Sequence, residues 1–318
     1  MGSHLYDLLR QDASLTIYGT KRPRSSLANL EQPPPLYDCE LTDYQSVTAV
    51  LEATRPDCIF HLAAQSFVPA SFSAPSHTFE VNVLGTLNLL EACRKLKLQP
   101  RILVAGSSEE YGHVLTSECP IKESQPLRPL SPYGVSKVAM ELLSLQYWRS
   151  YGLPVVVTRA FNHTGPRRGE QFVTSSFAKQ IAEIEAGGIR NPTIQHGNLE
   201  AQRDWLDVRD VVRAYQMAID QCLPGEAYNI CSGQAHSVRE VLDYFVRLSS
   251  SAASIKLQAD PNRMRPSDVV VLLGDSSKFR TLTGWEPAIG FTQTLEDLLN
   301  YWRKRVGKAL AEVGKVWG

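Results

Sequence analysis

The 318-residue chain predicts an open, doubly wound parallel α/β sheet followed by a smaller C-terminal α/β unit. Three observations carry that expectation. The short apolar runs Pro56-Asp-Cys-Ile-Phe-His61, Arg101-Ile-Leu-Val-Ala-Gly106 and Pro154-Val-Val-Val-Thr-Arg159 read as buried strands set between helical stretches, the pattern of a parallel sheet covered on both faces. The run 101–106 passes straight into the polar stretch Ser107-Ser108-Glu109-Glu110-Tyr111-Gly112, and open parallel sheets bind ligands beyond the carboxyl ends of their strands. Finally, Tyr133 and Lys137 stand four apart at the start of an apolar-periodic segment, Ser131-Pro-Tyr-Gly-Val-Ser-Lys137.

On a helix that spacing stacks phenol and ammonium on one face. A nearby cation favours the ionised phenol, so Lys137 is expected to lower the pKa of Tyr133 toward neutrality. Ser107, Tyr133 and Lys137 then form the hydrogen-bonding set of a carbonyl/alcohol redox centre: Ser107 orients the oxygen, Tyr133 moves the proton and Lys137 tunes Tyr133. At these residues the chain resembles the short-chain dehydrogenase/reductases, in particular the extended branch that modifies nucleotide sugars. The likeness runs from Gly2 to the last helix and implies a Rossmann-like domain over 1–165, a substrate domain over 166–318 with segments returning to the first, and a nicotinamide cofactor.

Composition narrows the partners. Basic and acidic residues balance at 33 each, so binding to nucleic acid or to a membrane surface by bulk charge is not expected. Six cysteines are widely spaced with no C-x-x-C pair, as small buried hydrophobes in a reducing cytoplasm would be. No apolar run is long enough to span a bilayer and no signal peptide is recognisable. No metal site is expected.

Taken in order, Met1-Gly-Ser-His-Leu5 leads into a helix through Arg10. The resemblance implies that Gly2 is the last glycine of a pyrophosphate-binding loop, with the first strand and two earlier glycines absent through truncation. Leu15-Thr-Ile-Tyr-Gly19 is expected as the next strand, followed by Thr20-Lys21-Arg22-Pro-Arg24-Ser25. Dinucleotide folds place an acid here for NAD and arginine for a 2′-phosphate, so Lys21, Arg22, Arg24 and Ser25 point to NADP(H), with Thr20 counted among the cofactor-binding residues. The third short strand lies in Leu36–Asp43, with Glu40 and Leu41 implied to contact adenine, and a helix follows over 44–53. The strand ending at His61 opens into Leu62-Ala63-Ala64, small residues that let a cofactor approach the backbone.

A long helix begins near Phe79 and carries Asn82, a polar residue that supports the site by resemblance and that needs partners in any case if buried. After the strand 154–159, Ala160-Phe-Asn162-His163-Thr-Gly-Pro-Arg-Arg168-Gly169 is implied to join cofactor to sugar nucleotide, with Asn162 preferred over His163 as the functional residue. Beyond it come a helix from Phe172, a strand and turn over 194–205, helices from Val208 and Ser237, a strand and turn over 228–233, a polar cluster over 260–268, and a closing helix over 292–306.

Arginines suit a diphosphate because each guanidinium offers a planar fork of donors. A lone arginine is by default solvated. The motifs Asn198-Leu-Glu-Ala-Gln-Arg203-Asp and Arg265-Pro-Ser-Asp268 lift Arg203 and Arg265 above that default, and Ser108, Asn162, Arg168, Asn198 and Asp268 complete the expected substrate set. These segments resemble the enzymes acting on GDP-mannose and its 4-keto-6-deoxy derivative. A reductase would form GDP-rhamnose with Tyr133 as proton donor, while a 4,6-dehydratase would use Glu109 as base. Ser107 in place of the dehydratases' threonine favours the reductase, whereas Pro166-Arg-Arg-Gly169 leans toward the dehydratase. A non-catalytic nucleotide-binding relative is the third reading. The family's habit of pairing two long helices implies a homodimer.

Overall fold

The computed structural model describes residues 1–187, 192–264 and 269–316, with side chains through 311. Its elements run α1 (Gly2–Leu9), β1 (Gly19–Lys21), β2 (Leu36–Asp38), α2 (Tyr44–Thr54), β3 (Cys58–His61), α3 (Val68–Ser73), α4 (Pro75–Phe79), α5 (Gly85–Lys95), β4 (Arg101–Ala105), α6 (Pro132–Tyr151), β5 (Val155–Ala160) and β6 (Asn162–Thr164). They continue with α7 (Val173–Glu185), β7 (Thr193–His196), β8 (Gln202–Asp207), α8 (Val208–Gln221), β9 (Ala227–Ile230), β10 (Ala235–Ser237), α9 (Val238–Leu248), β11 (Lys256–Ala259), β12 (Val271–Leu272), α10 (Ser277–Thr283) and α11 (Phe291–Val316).

The central sheet is parallel in the order β3-β4-β5-β9. Its middle strands are buried on both faces, as their uninterrupted apolar sequence requires. One face packs on α2, α5 and α6 through Val47, Leu51, Leu90, Cys93, Met140 and Tyr147. The other packs on α8 and α10 through Val211, Tyr215, Ile219, Phe279 and Trp285. Helices therefore cover both sides of a parallel sheet, the doubly wound arrangement expected. A third apolar cluster joins α7, α9 and α11 around β7 and β8. There β8 pairs with β10 antiparallel and with β6 and β12 in parallel.

Three expectations need correction. The strand expected at Leu15–Gly19 lies at Gly19–Lys21, where it pairs in parallel with β2 alone. No strand among the described residues bridges that pair to β3, so Leu15 and Tyr18 are left exposed and without a ladder to hold them extended. The 194–205 segment holds two strands, β7 and β8, because β7 pairs with β11 rather than turning back on itself. The helix expected near Phe79 is already turning at Pro75, and a π-helical segment at Glu80–Leu84 links α4 to α5. Such wide turns reposition side chains and recur at functional sites.

Candidate active site

Helix α6 starts where it does because Ser131 caps it. The Ser131 hydroxyl accepts the Gly134 N–H at 3.0 Å and Pro132 occupies the first turn, a favoured N-terminal pairing. This puts Tyr133 in the first turn and Lys137 one turn on, both buried. Gly134 lets the helix lie against the Ser107–Glu110 turn: a Cβ there would be 2.6 Å from the Glu109 carbonyl. The turn is itself fixed by a capping box, in which Glu109 N–H donates to Ser107 Oγ at 3.2 Å and Ser107 N–H donates to Glu110 Oε1 at 2.6 Å. Two local rules, a capped helix and a capped turn, bring Ser107 and Tyr133 together across 26 residues. Both side chains face one cleft, with the Ser107 hydroxyl near enough to the Tyr133 phenol to favour its ionised form.

The electrostatics differ from the expectation. Lys137 does not acidify Tyr133. Burial pushes the phenol above its ordinary value near 10, the Ser107 hydroxyl opposes that, and the nearby Glu109 and Glu110 charges reinforce it. The Lys137 ammonium lies 5.8 Å from the centroid of the Tyr133 ring, and its Nζ donates to Ala105 O at 2.7 Å, at the end of β4. Burial draws Lys137 down to about 8, against the pull of Glu110. Desolvation exceeds the Coulomb term here because both groups sit in protein with little water between them. Tyr133 is thus held protonated at neutral pH, poised to give a proton rather than to take one.

Asn82, at the π-helical turn, ties this corner together. Its Oδ1 accepts Gln65 N–H at 2.7 Å, and its Nδ2 donates to Gln65 O at 3.1 Å and Ser136 Oγ at 2.9 Å. Ser136 in turn donates to the Tyr133 carbonyl at 2.7 Å. Its structural role is therefore complete within the protein.

A cleft of about 1110 Å³ opens from this corner, above the roughly 300–1,000 Å³ common for small-molecule sites. Of the residues expected at the cofactor, Gly2, Leu62, Ala64, Tyr133 and Lys137 line it. Thr20, Arg22, Arg24, Ser25, Glu40, Leu41 and Ala63 do not. Arg22 and Arg24 are exposed just past β1, while Lys21 forms an ion pair with Asp38. Leu41 packs against Gly85 and gives its carbonyl to Asn88 Nδ2 at 2.7 Å.

Of the expected substrate residues, Ser108, Asn162, Arg168, Asn198 and Arg203 line the cleft, as does Glu109. Arg265 and Asp268 lie outside the described residues. Arg203 is buried in β8, where Nη1 donates to Gln202 O at 2.8 Å and Val269 O at 2.7 Å. Arg168 projects inward, its guanidinium 3.5 Å from the Phe172 ring centroid. Burial lowers it to about 10, with Tyr133 opposing. That places a cation near the Tyr133 phenol. Burial and Arg168 together hold His163 neutral, at about 3, and its ring Nδ1 is bonded to Phe161 O at 3.1 Å.

An aromatic wall is not evident from the sequence: Phe67 and Phe172 meet edge-on, 5.8 Å apart, on the cleft lining, Phe67 just before α3 and Phe172 just before α7. Glu110, whose carboxyl accepts the Ser107 N–H, belongs to the corner as well, and a second glutamate in that turn is its signal in the sequence. Among the described residues no helix is long and apolar enough to cross a membrane, and no cluster of side chains could hold a metal ion.

The family model for GDP-mannose 4,6 dehydratase matches residues 1–298. GDP-6-deoxy-D-mannose reductase of Pseudomonas aeruginosa is 37% identical over 251 residues, covering 79% of this chain and 82% of that protein. GDP-mannose 4,6-dehydratase of Vibrio cholerae is 34% identical over 340 residues, covering 94% and 89%. Among solved structures, RMD from Pseudomonas aeruginosa complexed with NADPH matches with a TM-score of 0.79 at 32% identity, over 91% of this chain and 99% of that one. UDP-glucose 4-epimerase of Thermotoga maritima with UDP-glucose matches with a TM-score of 0.85 at 27% identity, over 96% of each.

Proposed function

We propose, for a chain that belongs to the GDP-mannose 4,6 dehydratase family, that it reduces the C4 ketone of GDP-4-dehydro-6-deoxy-D-mannose to GDP-D-rhamnose with NADPH. The observation that carries this reading is the meeting of Ser107, Tyr133 and Lys137 on one cleft at the carboxyl end of β4, with a phenol held protonated. The residues fit a nicotinamide cofactor: Leu62, Ala64, Ala105 and Gly106 leave the strand ends open on the cleft, and Lys137 Nζ has one of its three N–H groups engaged, by Ala105 O. The bound cofactor would supply hydride to C4. Ser107 would hold the C4 oxygen and Tyr133 would donate its proton to it as the negative charge develops. Arg168 and Arg203, with Ser108, Asn162 and Asn198, would hold the sugar nucleotide, and Arg265 and Asp268 are assigned there from the sequence. Gly2, Thr20, Arg22, Arg24, Ser25, Glu40, Leu41, Leu62, Ala63, Ala64 and Lys137 are assigned to NADP(H).

Residues 1–165 are taken as the cofactor domain and 166–318 as mainly the substrate domain. Homodimerisation through the α5 and α6 helices is supported by Val135 and Leu142, exposed and two turns apart on α6, and by exposed Leu84 just before α5. The widely spaced cysteines support a cytoplasmic location.

A second reading, the 4,6-dehydratase, is favoured by one observation: Glu109 lines the cleft beside Tyr133, where a base for C5 would be needed. Incubating the protein with GDP-4-dehydro-6-deoxy-D-mannose and NADPH separates the two. Consumption of NADPH, abolished by Tyr133→Phe, supports the reductase. In a separate reaction, turnover of GDP-mannose with no net change in NADPH supports the dehydratase, and absence of both activities leaves a non-catalytic relative.

A further inference from the structure

The proton-transfer centre rests on a buried carboxyl that the steps above leave unused. Glu110 is fully buried beneath Ser107, and its Oε1 accepts the Ser107 N–H at 2.6 Å. The approach is so close that Gly106 can carry no side chain, since a Cβ there would lie 2.6 Å from that oxygen. The other oxygen, Oε2, accepts from no donor among the described residues; the Glu141 carboxyl lies close by and Arg159 Nε is 4.0 Å away. The Arg159 fork is already filled. Nε and Nη2 donate to Glu141 at 2.8 and 2.6 Å, and Nη1 donates to Tyr111 Oη at 2.9 Å and Glu123 O at 3.0 Å. One guanidinium thus faces two buried carboxyls, and geometry gives it to Glu141.

We propose that Glu110 is a positioning residue for the proton-transfer step, fixing the Ser107 backbone with one oxygen and serving as the acidic partner that sets the charge on Lys137. The inference rests on the redox reading of this site. The ionisable groups facing the pocket are Lys137, Glu141 and Tyr133 from α6, Arg159 from β5, His61 from β3 and Glu109 from Glu110's own turn. Burial and the Glu141 carboxylate drive the proton affinity of Glu110 well above the usual carboxylate range, while burial lowers that of Lys137. Lys137 Nζ holds Ala105 O and Glu110 Oε1 holds Ser107 N–H, so the two groups flank one three-residue strip at the end of β4, where the charge of one acts on the other. Ionised Glu110 favours charged Lys137, and a neutral group at 110 removes that support.

Glu110→Gln and Glu110→Leu test this. In protein carrying ε-labelled lysine and no nucleotide, the Lys137 resonance, identified by its loss in Lys137→Met, is titrated by NMR. Glu110→Gln is expected to lower its midpoint by about one unit. In the reductase assay Glu110→Leu is expected to lose at least about tenfold in kcat with KM unmoved. Glu110→Gln, which keeps an acceptor for Ser107 N–H, is expected to rescue most of that loss near pH 6.5 while its activity falls off at lower pH than the wild type. A Lys137 midpoint unmoved by Glu110→Gln, or wild-type kcat in Glu110→Leu, overturns the proposal. Should Glu110→Leu not fold, the glutamine variant decides alone. The resonance is read without turnover, so an inactive wild type would sink the redox reading and leave the Glu110 result legible.

Discussion

Lys137 should cost the protein stability, and removing it should return that cost in a pH-dependent way. The ammonium is buried, and its pKa falls from 10.5 to about 8, equivalent to about 3 kcal/mol of unfavourable charging. Below about pH 8 both folded and unfolded states carry the proton, so the whole cost is present. Between about 8 and 10.5 the unfolded chain binds more protons than the folded one, and stability therefore rises with pH until the cost is gone. Lys137→Met removes the charge but also the bond from Nζ to Ala105 O, whose net worth is about 1 kcal/mol. The variant should be inactive yet more stable by about 2 kcal/mol at pH 6.5, with the advantage shrinking toward pH 9.5 and reversing near about pH 10, before the unfolded value is reached. Equilibrium urea unfolding of nucleotide-free protein at those pH values measures it. A variant less stable than wild type at pH 6.5, or a gap that does not change with pH, refutes the reasoning.

Three other outcomes are expected. Asp204 is buried and accepts four donors, from Ser232 N, Ser232 Oγ, Gly233 N and Gly274 N, at 2.6 to 3.4 Å; Asp204→Asn turns one acceptor into a donor facing N–H groups and should cost about 2–4 kcal/mol by urea unfolding. Gly134→Ala would press a methyl into the Glu109 carbonyl and Pro129, costing about 1–3 kcal/mol and lowering kcat through displacement of the Ser107 turn, which steady-state kinetics and unfolding read together. Arg168→Met should raise KM for the GDP-sugar by roughly 10–100-fold, the worth of one charged hydrogen-bonding fork, and isothermal titration with GDP checks it without catalysis.

Much of the site could be read from linear text because its parts obey local rules. Ser131 and Pro132 start α6, so the positions of Tyr133 and Lys137 on one helical face followed from spacing. Ser107 followed from its place at the end of an uninterrupted apolar strand. The π-helical turn at Asn82 was not legible, since it depends on that carboxamide finding Gln65 and Ser136 across the fold. Nor was the shift of the strand expected at Leu15–Gly19, because a strand is held by its neighbours and β1 pairs only with β2.

The sequence by itself determined the alternation of strand and helix, the capped turn and helix that carry Ser107 and Tyr133, and the family those residues resemble. Tertiary structure decided the charge states. Spacing predicted an acidic phenol beside an ammonium, but a pKa is set by how much water and which charges surround a group in three dimensions. Burial of Tyr133, Lys137 and Glu110 in one pocket reverses the sign that helical geometry alone suggests.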